Sequence, residues 1–158
     1  MSNLKLPKRG SPCPCHSGLA YGDCCQPFHK GEREAPTPEA LMRSRFSAFA
    51  TSQVDYLVKT LHPDHDDRKL PDDVLRPMIQ SACRAYRYTG LAIEEASSDG
   101  DRGRVIFFAK VFEKGVDHSF REVSTFGRTE GGWRYLSGQT VAGDEAAVAA
   151  RKALARKG

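Results

Sequence analysis

Four cysteines lie within thirteen residues near the start of the chain, at Cys13, Cys15, Cys24 and Cys25. Four thiolates this close together, in a stretch punctuated by glycine and proline, can converge on one tetrahedral metal ion. Zn(II) is the simplest choice and Fe(II) is the alternative. Because four protein ligands leave no open coordination position, such a site is structural rather than catalytic. We therefore predict a metal site with these four cysteines as its ligands.

Two other interpretations of these cysteines stay open. Disulfide pairing would need an oxidising compartment, whereas the first residues lack the apolar segment of a secretory signal, which predicts a cytoplasmic protein with reduced thiols. His29, four residues after Cys25, could replace one thiolate.

The backbone of the segment must meet two conditions. Gly18 is suited to a positive φ, and Cys24 and Cys25 can both ligate only if the backbone twists between them.

The fifth cysteine, Cys83, stands apart from this cluster. A nucleophilic thiol needs a nearby base and a lowered pKa, and no neighbouring residue in the sequence supplies one. We predict that Cys83 is a small buried apolar residue.

The bulk composition limits the function classes. A length of 158 residues suits one ordinary core and a small appendage. No stretch approaches the roughly 20 apolar residues needed to cross a bilayer, so no membrane insertion is predicted. The net charge of +4 lies at the ends: residues 1–34 hold five Lys/Arg against three Asp/Glu, and residues 141–158 hold four against two. This distribution suits either an acidic partner such as ribosomal RNA or two solvated basic termini.

The spacing of apolar residues predicts helices in the first half of the chain and strands in the second half, and these elements must position the residues above. A helix should begin after Thr37 as N-cap, with apolar positions from Leu41 to Phe49 at helical spacing. Further helices are predicted over 53–61 and 72–85, the latter kinked or divided at Pro77. Strands are predicted over 86–95, 104–113, 119–128 and 132–139. Short turns between them indicate an antiparallel meander, so the fold class is α+β, with helices packed on a curved antiparallel sheet.

Two stretches of this sequence resemble known families. The run Cys13-Pro14-Cys15-His16-Ser17-Gly18, then Tyr21, then Cys24-Cys25, resembles the SEC-C motif, the small zinc-binding module at the C-terminus of the SecA preprotein translocase motor. The glycine usual after the second cysteine is His16 here, which should alter the turn more than the ligation. The run Leu41 to Phe49, followed by Asp55-Tyr56-Leu57 and Thr60-Leu61-His62-Pro63, is similar to the bacterial YchJ family.

This resemblance implies a particular domain organisation. It implies a SEC-C-like metal-binding module over 12–30 and a nuclear-transport-factor-2-like (NTF2-like, or cystatin-like) α+β domain over 36–140, followed by a basic tail over 141–158 that is helical or disordered. Some relatives end with a second SEC-C motif. This chain ends instead in a cysteine-free stretch rich in Ala, Arg and Lys.

Folds of this kind enclose a cone-shaped cavity, and several polar residues are candidates to line it. They are Arg43, Arg45, Tyr56, His62, Asp64, His65, Arg121, Glu122 and Tyr135. Arg43 and Arg45 point about 200° apart on a helix, so we expect one to pair with a carboxylate such as Glu122 and the other to be solvated, with anion binding as the alternative.

Three further side-chain groups have a functional and a structural interpretation. His62 with Asp64 could act as a general base, although we expect His62 to be a loop anchor. His62, His65 and Asp66 could hold a second metal, although we expect this acidic loop to be simply solvated. Trp133 and Tyr135 are expected to form core wall rather than a ligand platform.

Three functions are compatible with the sequence. The first is a non-enzymatic binding or adaptor protein whose zinc-stapled module contacts a protein partner, with the ribosome or the export machinery as the candidates implied by the SEC-C resemblance. The second is an enzyme that acts on a small substrate in the cavity. The third is a metal-responsive or redox-responsive regulator that loses its ion when the thiolates are oxidised. The oligomeric state stays open, and a dimer is compatible with the neutral middle domain.

Overall fold

The computed structural model describes residues 6–141, so the predicted basic tail, apart from its first residue, lies outside the described residues. The helices are α1 (Gln26–His29), α2 (Pro38–Ala50), α3 (Val54–Lys59) and α4 (Asp72–Ala85). Within the described range, no helix combines the length and the apolar character that a membrane crossing needs.

Helix α2 begins where its sequence predicts. The Thr37 hydroxyl accepts a hydrogen bond from the Ala40 amide at 3.0 Å, and Pro38 occupies the first helical position, where its missing N–H leaves no carbonyl unsatisfied. Helix α4 runs through Pro77 as one element, so the division considered at that residue does not occur. Pro77 lies in the second turn of α4, and its ring therefore disturbs only the helix start.

The strands form one antiparallel sheet. They are β1 (Arg87–Asp99), β2 (Arg102–Glu113), the two-residue β3 (Val116–Asp117), β4 (Phe120–Thr129) and β5 (Gly132–Val141). The order is β1-β2-β4-β5, with β3 paired to β2, which confirms the predicted four-strand meander. Register shifts occur twice in β1 and once between β4 and β5. Such bulges bend a strand and increase its twist, which curves the sheet.

Helix α2 packs against one face of this sheet and separates two apolar clusters. The first cluster joins α2 to the sheet and contains Leu41, Met42, Phe46, Val105, Phe107, Phe126 and Trp133, which confirms Trp133 as core. The second joins α2 to α3 and α4 and contains Ala48, Leu57, Leu61, Leu75, Ile79 and Cys83. Burial raises the pKa of the Cys83 thiol to about 11, as expected for a packed, unreactive cysteine.

The close approach of α2 to the sheet requires a glycine at position 103 of β2. A Cβ added there would overlap the Pro38 ring and lie 3.4 Å from the Trp133 ring. We expect Gly103→Ala to lower the free energy of unfolding by about 1–3 kcal/mol, because the rigid proline ring must move. Gly10→Ala is the control, since nothing lies within 4 Å of its added Cβ. Urea denaturation of both variants measures the difference, and equal losses would contradict this packing.

Candidate functional site

The four clustered cysteines converge at the N-terminal end of the molecule. Their sulfur atoms all lie within 4.8 Å of one another. The Cys15 sulfur is 3.5 Å from that of Cys24, which is 3.9 Å from that of Cys25. Zn–S bonds of about 2.3 Å place tetrahedral sulfurs about 3.8 Å apart, so these separations fit one metal ion. All four thiols are free of disulfides, and all but Cys24 are buried.

The backbone of the segment brings the thiols together through two tight turns. His16 and Gly18 both have positive φ, at 62° and 88°. Histidine at a position where glycine is usual therefore keeps the left-handed turn, a conformation in which His is enriched among non-glycine residues. A 3₁₀ turn over Tyr21–Asp23 ends at Cys24, whose φ of −127° and ψ of −98° twist the backbone before Cys25. Both conformational predictions for this segment, at Gly18 and at the paired cysteines, are confirmed.

The proximity of the sulfurs controls their protonation. Contact with the Cys15 sulfur raises the pKa of the Cys13 thiol to about 12, and its neighbours Cys13 and Cys15 also raise the pKa of Cys25. The same contacts lower the pKa of Cys15, whose thiolate accepts from the protonated neighbours. Four anionic sulfurs cannot share this volume without a cation, so the cluster is suited to a metal that displaces the remaining protons.

His29 lies outside the thiol cluster and joins the segment to α2. Its Nδ1 accepts from the buried Tyr21 hydroxyl at 2.7 Å, and its Nε2 donates to the Ser44 carbonyl at 2.8 Å. Both ring nitrogens are therefore occupied by protein partners. Burial lowers the pKa of His29, which keeps the imidazole neutral. The alternative in which His29 replaces a thiolate is not supported by this geometry.

Arg43 makes a second connection between the segment and α2. It donates from Nη1 to the Cys15 carbonyl at 3.0 Å and from Nε to the Glu39 carboxylate at 3.1 Å. The predicted arginine–carboxylate pair thus exists, but its acid is Glu39 and not Glu122. The expectation that the other arginine is solvated is wrong, because Arg45 is only 5% exposed.

A cavity of about 450 Å³ lies between α2 and the concave face of the sheet. Most of its wall is apolar or aromatic, with Met42, Phe46, Phe107 and Val111 among the lining residues. Three of the predicted polar candidates also line it: Arg45, Glu122 and Tyr135. Three further lining residues, Tyr86, Tyr88 and His118, are not among the candidates predicted from the sequence. Alternation along β1 could have indicated Tyr88, whereas His118 lies in a turn without periodicity.

The other candidates lie away from the cavity wall. His62 and His65 each accept a backbone N–H at 3.0 Å through Nδ1, from Asp64 and Asp67 respectively, as loop anchors do. Among the described residues they join no cluster of metal-ligating groups. Tyr56 bonds the Ser44 hydroxyl at 2.6 Å beside the second apolar cluster. Arg121 pairs with Glu94, with Nη2 and Oε2 2.9 Å apart. His62 and Asp64, considered as the alternative general base, therefore do not line the cavity, and the expected role of His62 as a loop anchor is confirmed.

Comparison with known families assigns the chain. The model of the YchJ middle NTF2-like domain matches residues 37–138, and the SEC-C motif model matches residues 11–27. The chain belongs to the YchJ family. A UPF0225 protein of Deinococcus radiodurans is 46% identical over 128 residues, which cover 79% of this YchJ-family chain and 86% of that protein. One of Corynebacterium efficiens is 42% identical over 130 residues, covering 82% and 93%.

Solved structures confirm the fold of this YchJ-family chain. The solution structure of a SEC-C motif-containing protein from Rhodopseudomonas palustris is similar with a TM-score of 0.71 and 35% identity, covering 84% of this chain and 100% of that one. The crystal structure of one from Psychrobacter arcticus is similar with a TM-score of 0.70 and 26% identity, covering 85% of each. The predicted α+β, NTF2-like fold with an N-terminal SEC-C motif is confirmed.

Proposed function

We propose that Cys13, Cys15, Cys24 and Cys25 hold one structural Zn(II), and that the protein is a non-enzymatic binding protein whose SEC-C module contacts a partner protein. The convergence of four sulfurs within 4.8 Å of one another carries the metal assignment. Four thiolates complete a tetrahedron and leave no position for a substrate. A site of this kind persists in a reducing compartment, which supports the cytoplasm as the place of action.

The metal would act as the core of a module that has little core of its own. Besides the cysteines, Tyr21 is the one fully buried side chain in the thiol cluster. We assign the module to residues 12–30 and the NTF2-like domain to residues 36–140, a division supported by the two separate matches. The contacts of His29 and Arg43 hold the module on α2, so the metal fixes the position of its outer surface relative to the domain.

The outer surface of the module suits a protein partner with acidic groups. Leu19 is 54% exposed in the module, and three basic residues are exposed as well: Lys8 and Arg9, which precede the module, and Lys30 at its end. Leu19 also lines a groove with Phe28 and Arg43, which offers a partner an apolar surface beside a basic side chain. The SEC-C resemblance implies the ribosome or the export machinery as the partner. The ribosome offers the phosphate groups of its RNA to such basic side chains.

Metal content and partner capture test the two parts separately. Elemental analysis of protein purified under reducing, anaerobic conditions should give about one zinc per chain. Iron instead of zinc would mean that the same four cysteines hold Fe(II).

Partner capture should be lost with Leu19→Asp and after chelation, and kept with Leu70→Asp, a control at another exposed leucine. Equal capture by wild type, Leu19→Asp and chelated protein would refute the module as the docking surface.

Counting reactive thiols gives an independent check of the metal ligands. The chain has five cysteines. We expect almost no rapid reaction with a thiol reagent in the metal-bound protein, because four sulfurs are ligands and Cys83 is buried with a raised pKa. Chelation should expose four thiols and denaturation the fifth. Rapid modification of Cys24 alone, before chelation, would show that it is not a ligand.

A further inference from the structure

The cavity of the NTF2-like domain contains a buried cation with unused hydrogen-bonding capacity. The Arg45 guanidinium donates from Nη1 to the Leu57 carbonyl at 2.9 Å and to the Thr60 hydroxyl at 2.6 Å. Among residues 6–141, no acceptor is hydrogen-bonded to its Nε or Nη2, and no carboxylate lies within ion-pair distance of it. Its guanidinium carbon lies 4.8 Å from the centre of the Tyr135 ring.

Burial makes this arrangement costly in the free protein. Loss of hydration lowers the pKa of Arg45, and the Glu122 carboxylate and the ring of Tyr135 offset only part of this effect. An arginine nine-tenths buried and without a paired carboxylate is unusual, since buried charges are normally paired. The remaining donors form the planar fork that binds a carboxylate through two parallel hydrogen bonds. An anion in the cavity would therefore complete the site.

Glu122 restricts the charge of that anion. Its Oε2 accepts from the hydroxyls of Ser124 and Tyr135, the latter at 3.0 Å, and it lines the same cavity as Arg45. A carboxylate at this position repels a second negative charge and disfavours dianions such as phosphate. A monoanion satisfies Arg45 with the least repulsion.

The remaining wall determines the rest of the ligand. Phe46, Tyr88, Phe107 and Phe120 present aromatic rings around a volume of about 450 Å³, which is within the range of small-molecule sites. Aromatic walls favour an apolar body, whose burial supplies most of the affinity. We infer that the cavity binds a small monocarboxylic acid with an apolar body, whose carboxylate is held by Nε and Nη2 of Arg45. This inference does not depend on the metal or on the partner of the module.

A matched pair of probes tests the inference on the full-length protein. Hydrocinnamate and its neutral amide, hydrocinnamide, have the same body and differ in charge. In two-dimensional amide NMR titrations, we expect hydrocinnamate to shift the resonances of Phe46, Tyr88 and Phe107 and to bind at least about tenfold more tightly than the amide. Inorganic phosphate should not shift them. Equal affinity for the two probes, or preference for phosphate, would overturn the inference.

Substitutions at the two charged residues assign the preference to Arg45. Arg45→Met keeps an apolar stem and should abolish the roughly tenfold preference for the carboxylate while leaving the amide affinity unchanged. Arg76→Met, at an exposed arginine of α4, should retain the preference. Glu122→Gln should strengthen hydrocinnamate binding about threefold or more without affecting the amide, because a like charge is removed. If Arg45→Met does not fold, Glu122→Gln decides: an unchanged ratio of the two affinities would refute the inference.

Discussion

Replacing Cys25 with serine is expected to unfold the metal module while the sheet keeps its structure. Cys25 is 1% exposed and contributes one of the four sulfurs, so serine removes a ligand at the centre of the cluster. Structural zinc contributes about 10–16 kcal/mol of apparent binding free energy in peptide modules, which is then lost as folding free energy. The loss of folding free energy should be the largest that any single substitution in the module causes.

The sheet of the NTF2-like domain should survive this loss because the core beneath it contains no residue of the module. The apolar cluster between α2 and the sheet contains no residue before Ala35, whereas Phe28 of the module packs against the second cluster. Amide NMR of Cys25→Ser should therefore show collapsed dispersion for residues 11–29 and preserved dispersion for the strands. Cys83→Ala is the matched control, since it removes a buried cysteine without removing a ligand. If residues 11–29 stay dispersed in Cys25→Ser and in chelated wild type, the structural metal proposal is wrong.

Local chemistry explains why the sequence predicts the module and most elements. Thiol spacing, the glycine in the turn and the Thr37-Pro38 helix start each depend on residues a few positions apart. The change from helical to alternating period separates helices from strands for the same reason. The sequence does not predict the extension of β1 to Asp99, because the last residues, Ser97, Ser98 and Asp99, are polar and exposed. Only their pairing with β2 makes them a strand.

The roles of the charged residues could not be predicted from the sequence, because they depend on contacts with residues in other helices and strands. Arg45 and Arg43 are two positions apart, yet one is buried and the other contacts the module. The acceptors that make burial of Arg45 tolerable, Leu57 and Thr60, come from the next helix and its end. Likewise, Glu122 of β4 accepts a hydrogen bond from Tyr135 of β5 because the pairing of these two strands brings the side chains together. Such long-range partners are fixed by tertiary packing, so spacing alone cannot assign them.

Replacing His29 with alanine is expected to loosen the module from α2 even when the metal is bound. The substitution leaves the Tyr21 hydroxyl and the Ser44 carbonyl without their imidazole partner. Tyr21 and Ser44 are both almost completely buried. The Ser44 carbonyl keeps the Ser47 hydroxyl as a donor, so the Tyr21 hydroxyl is the group left unsatisfied. An unsatisfied buried polar group costs about 1–3 kcal/mol, so the free energy of unfolding should fall by that amount. His118→Ala is the control, because that side chain is 43% exposed and its contact with Glu113 lies at the surface.

The same residue should make the attachment of the module sensitive to acid. Burial lowers the pKa of His29, so the folded protein binds its proton less readily than the unfolded chain, where histidine titrates near about 6.5. The stability from neutral His29 is therefore complete above that pH and is lost as the pH falls below it. Urea denaturation of wild type and His29→Ala should show a difference that shrinks from about pH 7.5 towards pH 5. Both proteins carry the same four cysteines, so acid loss of the metal contributes to each in the same way, and a difference that stays constant with pH would contradict a neutral, buried His29 at this contact.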